Sequence, residues 1–260
     1  MAFHRGPKIV KDGLILYLDA ANPKSYPGSG TTWYDLSGHG NHATLYNSPQ
    51  WENTYFHFDG TNSHGIFEIP NSLLPFSSSQ ITYEIVFQEQ NNGIDVNRQE
   101  VMFGNKAYST NKDGFAITHA ANPNSIYSQI NDFNTNSLRI VDCGADLDGN
   151  GKSDDTLNFT WVLHFTQIDN TNLSLVTHNT FNFSKSNLIV NNLTDTVSNV
   201  TYPDLLEDGS VYAIGSGITN NRSIRDYTIC DISYIKIYNR LLTTSEINQN
   251  YNALKSRYGL

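Results

Sequence analysis

The chain is poor in cysteine and in positive charge. Its 260 residues include two cysteines, Cys143 and Cys230. Two are too few for a disulfide framework, so nothing in the chain demands an oxidising compartment. Lys and Arg number 16 against 25 Asp and Glu, giving a formal net charge of −9. The basic residues form no cluster. Nucleic acid and anionic membrane surfaces both need a basic footprint, so neither is expected as a partner. No apolar run reaches the roughly 20 residues that span a bilayer, so no membrane insertion is expected. The opening residues MAFHRGPKIVKDG lack the apolar core of a signal peptide. The protein is therefore expected to be made in a cytoplasm and to leave it by lysis or as part of a particle.

What the chain does have is small polar residues. It is 38% hydrophobic and 16% charged, with 18 Gly, and Asn, Ser and Thr fill much of the rest. Such residues favour turns over helix interiors, which predicts many short strands joined by loops. A chain of this length can bury a sizeable core in one all-β domain. There is no repeat, heptad or linker. Residues 1–12 read as an exposed N-terminal arm and 13–260 as a single domain.

The opening stretch, GLILYLDAANPKSYPGSGTTWYDLSGHGNHATL over 13–45, organises the rest. Leu14–Asp19 carries apolar side chains on both faces, as a strand covered on both sides does. Asn22-Pro23, Tyr26-Pro27 and Gly28-Ser29-Gly30 then rule out helix. Tyr55–Phe58 and Ile66–Ile69 flank an Asp59-Gly60 turn and predict a hairpin. In Ile81–Gln88, Ile81, Tyr83, Ile85 and Phe87 alternate with Thr82, Glu84 and Gln88, a half-buried pattern. Thr160–Ile168 is a long strand expected to pair with Leu173–Val176, and Cys230 reads as a small core hydrophobe. Near the end, Thr243 and Glu246 form a capping box. Ile247, Tyr251, Leu254 and Tyr258 follow at helical spacing.

This order of motifs resembles the concanavalin A-like, laminin-G-like jelly rolls, especially those in structural proteins of tailed phages of the cyanophage type. The carriers are the strand ending in Asp19-Ala20, SGTTWYDLSGHGNHATL, FHFDGTNSHGIFEIP and the terminal DISYIKIYNRLL. The resemblance implies an all-β antiparallel β-sandwich jelly roll with a short C-terminal helix, in which Leu14–Asp19 pairs with Ile232–Tyr238. It also implies a non-enzymatic virion protein: a capsid decoration, a fibre or another appendage. The expected location is the virion surface, after assembly in the host cytoplasm. The expected partners are other virion proteins and cell-surface glycans, with a homo-oligomer open.

The sharpest chemical motif is the loop Asp146-Leu147-Asp148-Gly149-Asn150-Gly151-Lys152-Ser153-Asp154-Asp155. Calcium takes six to eight oxygens, and Asp146, Asp148, Asn150, Asp154 and Asp155 offer them around turn-forming glycines. The loop resembles Asp-x-Asp-x-Asn-Gly calcium loops, although position twelve is Leu157 rather than a bidentate Glu. The competing reading is a solvated acidic turn. Asp19, Asp59 and Asp231 are weaker metal candidates, and strand-end caps are the plainer reading of them.

Two further function classes remain. Some glycoside hydrolases of this fold carry acids as Glu-x-Asp-x-x-Glu on one strand. Glu84 and Glu89 match the outer spacing, but Val86 replaces the central acid and the odd separation puts the pair on opposite faces. No catalytic residue is assigned. The 15 Tyr, 13 Phe and 3 Trp suit a lectin, because sugars stack on aromatic faces, but an all-β core uses aromatics as well. The histidines, His39 and His42 in one turn and His57 and His64 in the next, read as polar turn residues.

If the acidic loop binds calcium, the ion neutralises crowded carboxylates and raises stability by about 2.7 kcal/mol at a hundredfold excess over Kd. The melting temperature should rise with calcium, fall with chelator and respond much less to magnesium, and Asp148→Ala should remove most of the response. Calorimetric titration of chelated wild type beside that variant decides it. Equal uptake by both, or by neither, leaves a solvated turn.

Overall fold

The computed structural model describes residues 8–74, 80–89, 99–105, 114–121, 124–132, 137–142, 161–169, 175–182, 193–196, 210–219 and 221–258. The strands, in chain order, begin with β1 Leu14–Asp19, β2 Thr32–Trp33, β3 Ala43–Tyr46, β4 Gln50–Trp51, β5 Phe56–Asp59 and β6 His64–Ile69. Then come β7 Gln80–Glu89, β8 Gln99–Gly104, β9 Gly114–Ala121, β10 Asn124–Asp132, β11 Ser137–Asp142 and β12 Trp161–Asp169. The last are β13 Leu175–Asn182, β14 Leu193–Thr196, β15 Ser210–Ile214, β16 Gly217–Ile218, β17 Ile224–Arg225 and β18 Ile229–Tyr238. Helix α1, Thr244–Leu254, runs on into a 3-10 turn over Lys255–Tyr258.

One eight-stranded sheet has the order β14-β13-β12-β7-β18-β5-β4, with β1 also on β18. The other has the order β11-β10-β9-β8-β15-β6-β3-β2, and β16 pairs with β17 apart from both. The core lies between the two large sheets. Ile81, Tyr83, Ile85 and Phe87 enter it from β7, and Phe103, Phe115, Tyr212 and Ile214 meet them from the second sheet. The Tyr83 ring stacks on Phe115 with centroids 4.1 Å apart, and its hydroxyl shares a 2.9 Å hydrogen bond with that of Tyr212. His164 faces Ile85 across the β12–β7 ladder and is fully buried. Burial pushes its pKa down to about 3, so the ring is neutral.

The first and last strands are neighbours as expected, running from Leu14 opposite Tyr238 to Asp19 opposite Tyr234. β12 pairs with β13, and Cys230 is in the core. The expected hairpin at Asp59-Gly60 does not form. β5 pairs with β18 and β4, whereas β6 pairs with β15 and β3 in the opposite sheet. The turn is a crossover, so Phe56 and Phe58 enter the core from one side and Phe67 and Ile69 from the other. Asp59 builds this turn by accepting the N–H groups of Thr61, Asn62 and Ser63. Burial works against its charge, but these donors and the Ser63 hydroxyl outweigh that and hold the carboxyl at about 2. Gly60 has φ +67°, and a Cβ there would lie 2.3 Å from Ile229.

The pattern in β7 also differs from the half-buried expectation. Thr82 and Glu84, on its other face, are buried too. The cause is α1, which lies over that face. Its capping box forms as expected between Thr243 and Glu246, and Arg240 anchors Glu246 in turn, at 2.6 Å. Ile247 and Leu254 bury against Leu14, Tyr17, Val86, Leu163, Phe165, Tyr234 and Tyr238. The part of the expected arm that is described, Lys8–Asp12, is docked rather than free. Val10 is buried; its N–H donates to Asn250 Oδ1 and its carbonyl accepts from Tyr238. Arg240 holds Asp12 at 2.9 Å.

Beneath the helix, Lys236 Nζ lies 2.6 Å from Glu84 Oε1, with both side chains at 0% exposure. The Tyr234 hydroxyl donates to the same oxygen and Asn250 Nδ2 to the other. Lys236 also lies over the Tyr234 ring, 4.3 Å from its centroid. Burial pulls the Lys236 pKa down, and Glu84 offsets only part of that pull. Removing one partner of such a pair strands the other charge without water. Lys236→Met should therefore lower stability by about 3–5 kcal/mol. Adding Glu84→Gln removes the stranded charge, and its amide can accept from Asn250 while donating to the Tyr234 hydroxyl, so it should restore a good part. Urea unfolding of the single and double variants measures the coupling, and additive losses would contradict it.

Candidate functional site

The outer face of the second sheet carries a groove of about 380 Å³ between β3, β6, β15 and the β16–β17 hairpin. Ile66, Val211 and Ile218 form its apolar part, and His42, Thr44, Tyr46, Glu68 and Arg222 supply its polar groups. The alternation of β3 sets this up, because Ala43 and Leu45 are buried while Thr44 and Tyr46 are exposed. In β6, His64, Ile66 and Glu68 share the outer face, with His64 opposite Tyr46 and Ile66 opposite Thr44.

Aromatic rings mark both ends of this face. Tyr46 stacks on His64 with centroids 5.0 Å apart and planes 11° from parallel. His64 is held by its Nδ1, 2.8 Å from the Asn62 carbonyl, so that nitrogen carries the proton. Tyr34 meets His42 edge-on at 5.2 Å. Among the described residues, Tyr34 at 42% and Tyr46 at 44% are the large hydrophobic side chains that remain exposed. Glu68 and Arg222 are 3.9 Å apart and both largely exposed, a pairing worth little in itself, so both stay available to other groups. Arg222, on the groove wall, has φ +61°. Such backbone is costly outside glycine.

Asp35 positions the His42 end. One carboxylate oxygen accepts from the N–H of Tyr17 and of Ser37. The other accepts from the Ser37 hydroxyl and the N–H of Gly40 and Asn41. The Asp35 N–H itself donates to His42 Nδ1 at 3.0 Å, which leaves Nε2 as the donor of the neutral ring. The Ser-Gly-His-Gly-Asn turn thus folds around one buried carboxylate. The same contacts close the free edge of β1, where Ser37 and Asn41 side chains donate to the Ile15 carbonyl.

The residues singled out in the sequence fall elsewhere. Asp146, Asp148, Asn150, Asp154 and Asp155 lie outside the described residues. Asp19 is buried and bound by Arg257 at 2.8 Å and by the Tyr17 hydroxyl at 2.6 Å. Asp59 is committed to its own turn, and Asp231 pairs with His57 at 2.7 Å. Among the described residues no three His, Cys, Asp or Glu side chains gather as a metal would require. Glu84 is sealed in its ion pair under α1. Of the groove residues, His42 and His64 were named from the sequence, as polar turn residues, and the others were not singled out. The alternation over His42–Tyr46 shows which side chains point outward, but His64, Glu68 and Arg222 reach the same face only through pairing register.

No family model matches the chain, and no curated protein matches it. Solved structures do match in shape. The receptor-binding domain of botulinum neurotoxin mosaic serotype C/D aligns with TM-score 0.64 and 11% identity, over 93% of this chain and 51% of that one. The binding domain of botulinum neurotoxin DC, in complex with rat synaptotagmin II, aligns with TM-score 0.61 and 14% identity, over 96% and 52%. Trypanosoma rangeli sialidase in complex with sialic acid aligns with TM-score 0.56 and 10% identity, over 95% and 33%. This chain has an antiparallel β-sandwich jelly-roll fold with a short C-terminal helix. It spans about half of the neurotoxin structures and a third of the sialidase. Binding domains and an enzyme share the architecture, so function has to be argued from the site.

Asp35→Ala leaves two buried and three half-buried donors without an acceptor, at about 1–3 kcal/mol for each buried one. The variant should lose roughly 3 kcal/mol or more of stability, and Asp35→Asn should lose less. Chemical unfolding tests this; an alanine variant as stable as wild type would show that the turn does not depend on the carboxylate.

Proposed function

We propose that this protein is a non-enzymatic binding module on the surface of a phage virion, as a capsid decoration, fibre or other appendage, and that its groove holds a cell-surface glycan. The observation that carries the binding reading is the exposed Tyr46 ring stacked on His64 at the edge of a groove with an apolar floor. A pyranose offers an apolar face to such a ring while its hydroxyls meet polar neighbours. Here those neighbours are Thr44, His42, Glu68 and Arg222. The virion location rests on the motif resemblance of the sequence. Other virion proteins are the proposed assembly partners, and calcium is the proposed occupant of the Asp146–Asp155 loop.

Two facts favour binding over turnover. Glycoside hydrolysis ordinarily needs a pair of carboxyl groups flanking the bond. Among the described residues Glu68 is the one carboxylate lining the groove, and Glu84 is closed off by Lys236, Asn250 and Tyr234.

Binding to immobilised glycans should be saturable and should release no reducing sugar. Tyr46→Ala should weaken it about tenfold or more, since burying an aromatic ring is worth about 1.5 kcal/mol or more. Its melting temperature should barely change, because the ring is exposed. Unchanged affinity would remove the groove from the function, and sugar release would make the protein an enzyme. Mass spectrometry of purified particles tests the location, which falls if the protein is missing from them.

A further inference from the structure

We infer that the groove is built for an extended chain of sugars rather than for one terminal ring, an inference that rests on the glycan-binding reading above. The argument starts from the two exposed tyrosines. A molecule that buries its other large apolar side chains among the described residues leaves Tyr34 and Tyr46 in solvent, and they mark opposite ends of one face. His42, Thr44 and Tyr46 project from that face at alternate positions. From His42, just ahead of β3, to Tyr46 is four residue steps, a span of about 14 Å for extended backbone. Tyr34 packs against His42 and so belongs to the first end. Tyr46, backed by His64, is the second.

One pyranose stacked on Tyr46 cannot also reach His42 and Tyr34 across that span. A linear oligosaccharide lying along β3 can do both, passing over Thr44 and Ile66. The two ends also differ in chemistry. β3 and β6 place Tyr46 opposite His64 and Thr44 opposite Ile66, and His42 and Glu68 both line the groove beyond that ladder. Glu68 faces Arg222. The His42 end therefore gathers an N–H donor, a carboxylate acceptor and a guanidinium beside Tyr34. The Tyr46 end offers an open ring and an imidazole. A bound chain would stack one sugar on Tyr46 and give the hydroxyls of a later sugar to His42, Glu68 and Arg222, which fixes its direction.

The test is an array of linear oligosaccharides of one to six units in glucose, galactose, mannose and N-acetylglucosamine series, with solution calorimetry on each series that binds. Affinity should rise about tenfold between one unit and three or four, then level off. Tyr34→Ala should flatten that rise while leaving the weak binding of short chains, and Tyr46→Ala should weaken every length. Thermal melts of both variants exclude misfolding. If one unit binds as tightly as four, the extended-chain inference fails and the binding reading stands. If no series binds at any length, the binding reading itself fails.

Discussion

Two opposite charges without access to water hold one side of this molecule together. Glu84 on β7 and Lys236 on β18 share a 2.6 Å contact at zero exposure, and a charge in such a place must be fully partnered. The partners come from across the sequence: Tyr234 from the same strand as Lys236, and Asn250 from the helix. Asn250 cannot reach Glu84 unless α1 is docked, and α1 cannot dock stably unless its apolar stripe finds Val86, Leu163 and Phe165. The ion pair gives that docking a definite geometry, while the apolar contacts supply most of the gain. Arg257, beyond the helix, extends the same arrangement to Asp19 on β1.

The two sheets therefore face the outside in different ways. The first gives part of its outer surface to the helix and to Lys8–Asp12. The second carries its groove between β3, β6 and β15, with polar and aromatic side chains around the aliphatic patch of Ile66, Val211 and Ile218. The rigid, covered side is the scaffold; the open side has room for a ligand. Asp35 links them, since it receives Tyr17 N–H from the first sheet and positions His42 on the second through its own backbone.

Much of the scaffold was legible in the sequence because it follows from local pattern. The alternation in Ile81–Gln88, the two-sided apolar strand Leu14–Asp19 and the capping box at Thr243 and Glu246 are short-range signals, and each corresponds to a real element. Pairing was less legible. Asp59-Gly60 reads as a hairpin turn whether its strands share a sheet or face each other across a core, and here they face each other. The burial of Glu84 depends on a helix more than 150 residues later in the chain, which no local window contains. The groove was hidden for the same reason. Tyr46, His64, Glu68 and Arg222 become neighbours only through the order β15-β6-β3 and the small hairpin after it.

The docking of Lys8–Asp12 against the C-terminal helix has a mechanical consequence. The start of β1 lies opposite the end of β18, Leu14 against Tyr238, so the first strand begins and the last strand ends at the same corner. A pull at that corner would open the β1–β18 ladder like a zipper, one bond at a time. The contacts of Val10 with Asn250 and of Asp12 with Arg240 stand ahead of that ladder. They would take the load first, as a strain relief does for a cable.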